Sequence, residues 1–335
     1  MVKIAIAGAS SQVAQEIIDA LVATGKHEII TLWRKDLPRP TPGVTPVLVD
    51  YSSPPALTAV LAGVNTVLSF VAGTAIDVQT ALIDASVAAG VKRFAPSEWS
   101  AANITPIPWY SGKATIRSYL SAINTPTPKL EYTLFQPGGF LEYLAHPHQP
   151  TAHIRPLALQ IDVANSRVLV AKGALDAKFT FTSVRDLARA VVAAVEYEGV
   201  WPVVGGVRGT TTTTRELVGV VERVTGRAVV VEEVDVEGEG VVGASWLPRL
   251  DHPSFDAMGE EEREKVAVGF WAVYLKSLEA GAWEVGGEWN EVLGGHSTSA
   301  ETLLSSPSWC CVVGGVIDHD TSMPRTSTAS TPVFS

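Results

Sequence analysis

Within the first 35 residues a short apolar strand, a tight turn, a helix and a second strand follow one another and end on a basic tripeptide. Lys3 to Ala7 reads KIAIA, the kind of apolar run expected of a buried parallel strand. The turn Gly8-Ala9-Ser10-Ser11-Gln12-Val13-Ala14 follows, and then apolar residues at helical spacing (Ile17, Ile18, Leu21, Val22) that stop at Gly25. Glu28 to Leu32 forms the second strand and leads into Trp33-Arg34-Lys35. Small residues between a strand and a helix N-terminus let the backbone approach an anion, which is the layout of a dinucleotide site. The end of the second strand meets the adenosine ribose, where an acid favours NAD and a basic group favours the 2′-phosphate of NADP. The expected cofactor is therefore NADPH, contacted by Gly8, Ala9, Ser10, Ser11, Gln12 and Val13 at the turn and by Arg34 and Lys35 beyond it. Of the three glycines usual in such a turn only Gly8 remains, with Ser11 and Ala14 in the other two places. Ala14 still permits close helix–strand packing, whereas Ser11 adds a side chain where a phosphate should approach. A turn kept for packing alone is the competing reading.

The alternation continues through the first half of the chain. Val47 to Val49 reads as a third strand ending at Asp50-Tyr51-Ser52, and Val64 to Phe70 as a fourth. Gln79 to Ala89 is helical, Lys92 to Ala95 is a fifth strand before Pro96-Ser97-Glu98-Trp99, and Lys113 to Ile123 is another helix. Glu131 to Phe135 is a sixth strand, halted by Pro137-Gly138-Gly139. Such units predict an α/β fold, a Rossmann-type doubly wound parallel sheet, with ligands beyond the carboxyl ends of the strands. Those ends add Asp50, Tyr51, Phe70, Pro96 and Ser97 to the cofactor-contacting candidates.

From about residue 140 the rhythm loosens, and a smaller α+β substrate lobe is expected. Asp162 to Ala171 suggests a hairpin or edge strand, and Thr213-Thr214-Arg215-Glu216 is a capping box for a helix closing at Gly226. Arg227 to Val234 is strand-like, and Glu260 to Leu278 has helical spacing. The domain reading is a dinucleotide domain over 1–150 and a substrate lobe over 151–295, with 180–197 packing back on the first domain. The serine- and threonine-rich 296–335 is expected to be a poorly ordered tail.

Composition closes several other routes. A net charge of −10 argues against a nucleic-acid surface. No apolar stretch approaches the roughly 20 residues needed to span a bilayer. The chain opens into a strand rather than a secretory leader, so a cytoplasmic location is expected. The two cysteines, Cys310 and Cys311, are adjacent and provide neither a disulfide framework nor a spaced metal site. His146-Pro147-His148 and His153 lack a carboxylate or cysteine at ligand spacing, so they read as loop or cleft-rim residues and no metal is expected.

Val91-Lys92-Arg93-Phe94-Ala95-Pro96-Ser97-Glu98-Trp99 resembles the RF-x-PSEF signature of the isoflavone reductase-like branch of the NmrA-like, atypical short-chain dehydrogenases. Asp50-Tyr51-Ser52 with Leu61-Ala62-Gly63-Val64, Leu130 to Leu141, and Phe181 to Ala188 are similar to other stretches of that family, in the same order. The resemblance covers most of residues 1 to 230. It implies an NADP domain, a smaller substrate domain and a cleft between them. It also implies a lysine on the helix after the PSEF turn that sits beside the nicotinamide and assists proton transfer, and Lys113 occupies that place. Partial burial beside a cofactor would depress the pKa of such a lysine toward a useful range; its bland alternative is a solvated residue at a helix start. Glu98, Trp99, Tyr110 and Phe140 are the candidates for the substrate cleft. Trp99 stands where the family has phenylalanine, and Tyr110 precedes Lys113 by three residues rather than the four that align a Tyr–Lys pair on one helix face. The functional expectation is an NADPH-dependent reductase of a small aromatic or unsaturated secondary metabolite, acting as a monomer or homodimer on a small-molecule substrate. The alternatives are a dinucleotide-sensing regulator without turnover, and a scaffold that has lost its cofactor.

Overall fold

The computed structural model describes residues 1–39, 41–238, 240–294 and 298–305. Strand β1 (Lys3–Ala7), helix α1 (Gln12–Ala23), β2 (Glu28–Trp33) and β3 (Val44–Leu48) open the chain. Helix α2 (Pro54–Val60), β4 (Thr66–Ser69), α3 (Ile76–Ala88) and β5 (Arg93–Ala95) follow, and α4 (Ser111–Ile123) leads to β6 (Glu131–Tyr132). The six strands form one parallel sheet in the order β3-β2-β1-β4-β5-β6. This is the doubly wound order of a Rossmann-type sheet, with the strand sequence reversing between β1 and β4.

Strand periodicity divides the sheet's apolar residues between two layers. Ile4 and Ile6 of β1 enter one cluster with Ile17, Ile18 and Leu21 of α1. Ala5 and Ala7 enter the other, beneath Leu57, Leu82, Ile83, Ile116 and Leu120 of α2, α3 and α4. Burial on both faces explains the unbroken apolar run of β1. Pro46 lies inside β3, where it is tolerated because β3 is the sheet edge.

Residues Glu131 to Phe135, read as one strand, divide between two sheets. The Thr133 amide still donates to Phe94 O at 3.2 Å, but the Leu134 amide donates to Val203 O at 2.9 Å. The chain has changed partner, and β7 (Leu134–Gln136) pairs with β12 (Val204–Gly206). Beyond it, β8 (Gly139–Phe140) joins β11 (Lys178–Thr182) and β13 (Thr210–Thr213) in a three-stranded sheet. The expected hairpin at Asp162 to Ala171 is β9 (Ile161–Asp162) and β10 (Arg167–Ala171). Those two strands extend through β14 (Val230–Glu237) and β15 (Gly240–Val242) into a four-stranded sheet. The strand read at Arg227 to Val234 therefore starts three residues later.

Helix α5 (Val184–Glu196), capped by Ser183, shares the apolar cluster of α1. Helix α6 (Thr214–Thr225) opens with the capping box read at Thr213 and Glu216 and closes on Gly226 in the left-handed conformation. Helix α7 (Glu260–Glu279) covers the second lobe, and α8 (Glu288–Leu293) places Trp289, fully buried, against Phe135. Residues 298–305 are the described part of the segment read as a tail. There α9 (Ala300–Leu304) buries Ala300 and Leu304 in the core of the second lobe, and Thr298 N donates to Asp186 at 2.6 Å. The rest of that expected tail, Cys310 and Cys311 included, lies outside the described residues.

Candidate functional site

Strand order reverses between β1 and β4, so their carboxyl ends are the place where a doubly wound sheet binds its ligand. At the first of these ends Gly8 has φ +72°, and a Cβ there would lie 2.5 Å from the backbone carbonyl of Phe70. The glycine is thus required by the close approach of the β1 turn to the end of β4. Ser11, the residue that seemed to obstruct a phosphate, caps α1 instead: its hydroxyl accepts from Ala14 N at 3.2 Å. The amides of Gln12 and Val13 have no acceptor among the described residues. They sit at the positive end of the α1 dipole, and the first turn carries no acid. Ala9 is buried and Ser10 exposed.

At the end of β2, Arg34 and Lys35 are both exposed. Burial pushes the Tyr51 phenol up to about 12, and the neighbouring Arg34 charge opposes that rise. Asp50 is exposed, with its carboxyl held below the usual range by the Ser52 hydroxyl and amide. Basic and polar groups thus converge beyond β2 and β3.

Lys113 is the most informative side chain. It lies in the first turn of α4 and is only 9% exposed, so the picture of a solvated lysine does not apply. Its Nζ donates to Ser97 O at 2.7 Å and Glu98 O at 2.5 Å, and lies 5.1 Å from the centre of the Tyr110 ring. Burial brings its pKa down to about 8, against the opposing pull of Glu98 and with a smaller push from Arg117. Helix α4 starts two residues earlier than expected, because Gly112 fits there. A Cβ at Gly112 would be 2.1 Å from Gly73 O in the loop after β4, so only glycine permits this approach.

The loop supplying both carbonyls is itself pinned. Ser97 N donates to the buried Gln79 side chain at 2.6 Å. Trp99 follows at φ +41°, a left-handed conformation that costs a bulky residue of order 1–3 kcal/mol. Its ring is stacked between Phe70 (4.3 Å) and Phe135 (5.2 Å), and its indole donates to Ser69 O at 2.7 Å. Glu98, assigned to the cleft from sequence, is 1% exposed and turned away into an ion pair with Arg117 at 2.7 Å. Nearby, the Ser69 hydroxyl is buried with no hydrogen-bond partner among the described residues.

Between Lys113 and the second lobe lies an aromatic cluster. Trp109 stacks on Phe270 at 4.6 Å, Tyr110 faces Trp283 at 6.5 Å, and Tyr274 lies 5.4 Å from the same tryptophan. Phe140 meets Tyr143 edge to face at 5.7 Å. Burial raises the phenols of Tyr110, Tyr143 and Tyr274, and the three lie within electrostatic reach of one another. Tyr143 and Tyr274 have no hydroxyl hydrogen bond among the described residues. Sequence reading missed both, since neither lies in a recognisable motif; the one local signal is the placement of Tyr143 three residues after Phe140. The histidines separate: His146 pairs with Asp251 at 3.1 Å, and His153 with Asp19 at 2.7 Å. Among the described residues no group of three or more metal-binding side chains converges, and no helix is long and apolar enough to cross a membrane. A cleft of about 470 Å³ between α5, α8 and Val207-Arg208 lies away from this cluster.

Comparison with known proteins agrees with this arrangement. The chain matches the NmrA-like family over residues 2–240. It is 32% identical over 209 residues to the oxidoreductase BOA1 of Botryotinia fuckeliana (strain B05.10), covering 58% of this chain and 67% of that protein. The crystal structure of an isoflavone reductase superposes with a TM-score of 0.62 at 20% identity, covering 90% of this chain and 98% of that one. The NADPH complex of the Escherichia coli quinone oxidoreductase QOR2 superposes with a TM-score of 0.61 at 19% identity, with the same coverage. A reversed six-stranded sheet, the Pro96–Trp99 turn and a match over more than half its length place one conclusion beyond the fold itself: the chain belongs to the NmrA-like family.

Proposed function

We propose that the protein is an NADPH-dependent reductase acting on a small aromatic or unsaturated molecule bound between its two lobes. The observation that carries this reading is Lys113, a buried lysine with its pKa lowered to about 8 at the carboxyl end of a doubly wound sheet. The residues present fit a nicotinamide dinucleotide. The Gln12 and Val13 amides are open to a pyrophosphate, Arg34 and Lys35 are open to a 2′-phosphate, and Ser69 has a buried hydroxyl without a partner. The relative named as an oxidoreductase and the NADPH complex of a protein with this fold support the same reading.

When bound, the reduced nicotinamide supplies the hydride. The protein's part is to hold the acceptor and to deliver a proton to the oxygen or carbon where negative charge develops. Lys113 is suited to this, since two of its protons are fixed on the carbonyls of Ser97 and Glu98 while the ammonium faces Tyr110. The rings of Trp109, Tyr110, Phe140 and Phe270 offer flat apolar walls, and the Tyr143 and Tyr274 hydroxyls offer polar contacts to a substrate.

Cofactor choice provides the test. Replacing Arg34 by alanine removes a guanidinium that can meet a phosphate bidentately, a contact worth about 1.5–3 kcal/mol. The expected result is a loss of about ten- to a hundredfold in NADPH affinity with NADH affinity unchanged. Equal losses for both dinucleotides, or none for either, would remove Arg34 from the 2′-phosphate site. A dinucleotide sensor without turnover would give the same binding data but no activity that depends on Lys113.

A further inference from the structure

One short segment of the second lobe lies along α1 and ends at the candidate phosphate turn. His153 pairs with Asp19 at 2.7 Å, and the amides of His153 and Ile154 donate to Glu16 at 2.8 and 3.4 Å. Ile154, 1% exposed, is buried in the cluster that holds Ile17 and Ile18. The Arg155 amide then donates to the side chain of Gln12, the first residue of α1, at 2.9 Å. The segment therefore runs antiparallel to α1, from the level of Asp19 toward the helix N-terminus, and sets Arg155 down there. The Arg155 side chain is exposed and has no hydrogen bond or ion pair with any described residue. An unpaired guanidinium is a notable choice in a chain with 35 acidic and 25 basic residues. No acid occupies the first turn of α1 to compete for it.

The turn beside it provides neutral donors and no basic side chain of its own. Ser11 uses its hydroxyl to accept from Ala14 and its amide to donate to Gly8 O, and the amides of Ala9, Ser10, Gln12 and Val13 have no acceptor among the described residues. Neutral N–H groups and a helix dipole bring no full positive charge to a doubly charged pyrophosphate, and a guanidinium adds a planar pair of charge-assisted bonds. We infer that Arg155 is a pyrophosphate-binding residue, carried to the dinucleotide site by the second lobe to complete its glycine-poor turn. This rests on the reading that the turn holds a dinucleotide. It divides the recognition: Arg155 reads the pyrophosphate shared by NADPH and NADH, and Arg34 reads the 2′-phosphate that only NADPH carries.

The experiment is a titration of the full chain and its Arg155→Ala and Arg155→Lys variants with NADPH, NADH and adenosine 2′-monophosphate, followed by calorimetry. Arg155→Ala should weaken NADPH and NADH by the same factor, about ten- to a hundredfold, and leave adenosine 2′-monophosphate binding unchanged. Arg155→Lys should recover part of the loss, because the charge is kept and the planar fork is not. The ligand-free melting temperature should not move, since the exposed guanidinium makes no hydrogen bond or ion pair with any described residue. If the parent chain binds both dinucleotides and Arg155→Ala binds them as tightly, the inference is overturned and the dinucleotide reading stands. If the variant loses NADPH and adenosine 2′-monophosphate together while keeping NADH, Arg155 reads the 2′-phosphate and the inference is again overturned. If the parent chain binds no dinucleotide, both readings fall.

Discussion

Replacing Lys113 by alanine is expected to lower kcat by about 10²- to 10⁴-fold, the range typical of a lost general acid. NADPH affinity should change by less than about tenfold, because the substitution leaves the phosphate-contacting candidates Gln12, Val13 and Arg34 untouched. The direction of the pH dependence follows from the lysine's lowered pKa of about 8. If the ammonium donates the proton, reduction is fast below that pH and declines as pH rises through it, and the alanine variant should lose this decline. Lys113→Arg should not restore activity. A guanidinium does not release a proton near neutral pH. Steady-state kinetics across pH 6 to about 10 on the parent and both variants would decide the matter. Unchanged kcat in Lys113→Ala would take the acid role away from this residue.

Replacing Arg117 by alanine is expected to destabilise the fold by about 3–5 kcal/mol, the typical cost of leaving a buried charge without its partner. Glu98 is 1% exposed, and Arg117 donates to it through both Nε and Nη2. The Nη1 of Arg117 also donates to Ala102 O at 3.1 Å, so one side chain holds two points of the loop beyond β5. The double variant Glu98→Gln/Arg117→Met removes both charges and should recover much of the loss. Urea unfolding monitored by circular dichroism measures this directly. A loss below about 1 kcal/mol for Arg117→Ala would mean that water reaches the pair and screens it as at a surface. Because Glu98 O also receives the Lys113 ammonium, the variant should lower activity as well, through the loop and not through contact with substrate.

The features legible in the sequence are those written by local physics. The apolar run of β1, the helical spacing of α1 and the capping box of α6 depend on neighbours a few residues away, and each stands close to where the pattern placed it. The alternation of these units was enough to indicate a doubly wound sheet. What could not be read depends on partners distant in the chain. Leu134 leaves the main sheet because Val203 offers it a carbonyl, and nothing near residue 134 announces that exchange. Glu98 looked like a cleft residue because it follows a strand end, until Arg117 closed over it from α4. The contact of Gly8 with the Phe70 backbone, 62 residues away, likewise has no signal near residue 8. Tyr143, Tyr274 and Arg155 reach the candidate site from three separate places in the chain, so no spacing rule could have grouped them. Lys113 was found by resemblance, and its burial explains why a lysine at a helix start should be chemically unusual.

The central claim is that the β1 turn, with Arg34 and Lys35 beyond β2, forms a working site for a phosphorylated nicotinamide dinucleotide. Its most direct test is titration of the full chain with NADPH and NADH, read by the quenching of tryptophan fluorescence. The account predicts saturable binding of NADPH, tighter than that of NADH by about tenfold or more, the margin expected for one charge-assisted phosphate contact. Failure of either dinucleotide to bind, or NADH binding as tightly as NADPH, would contradict it.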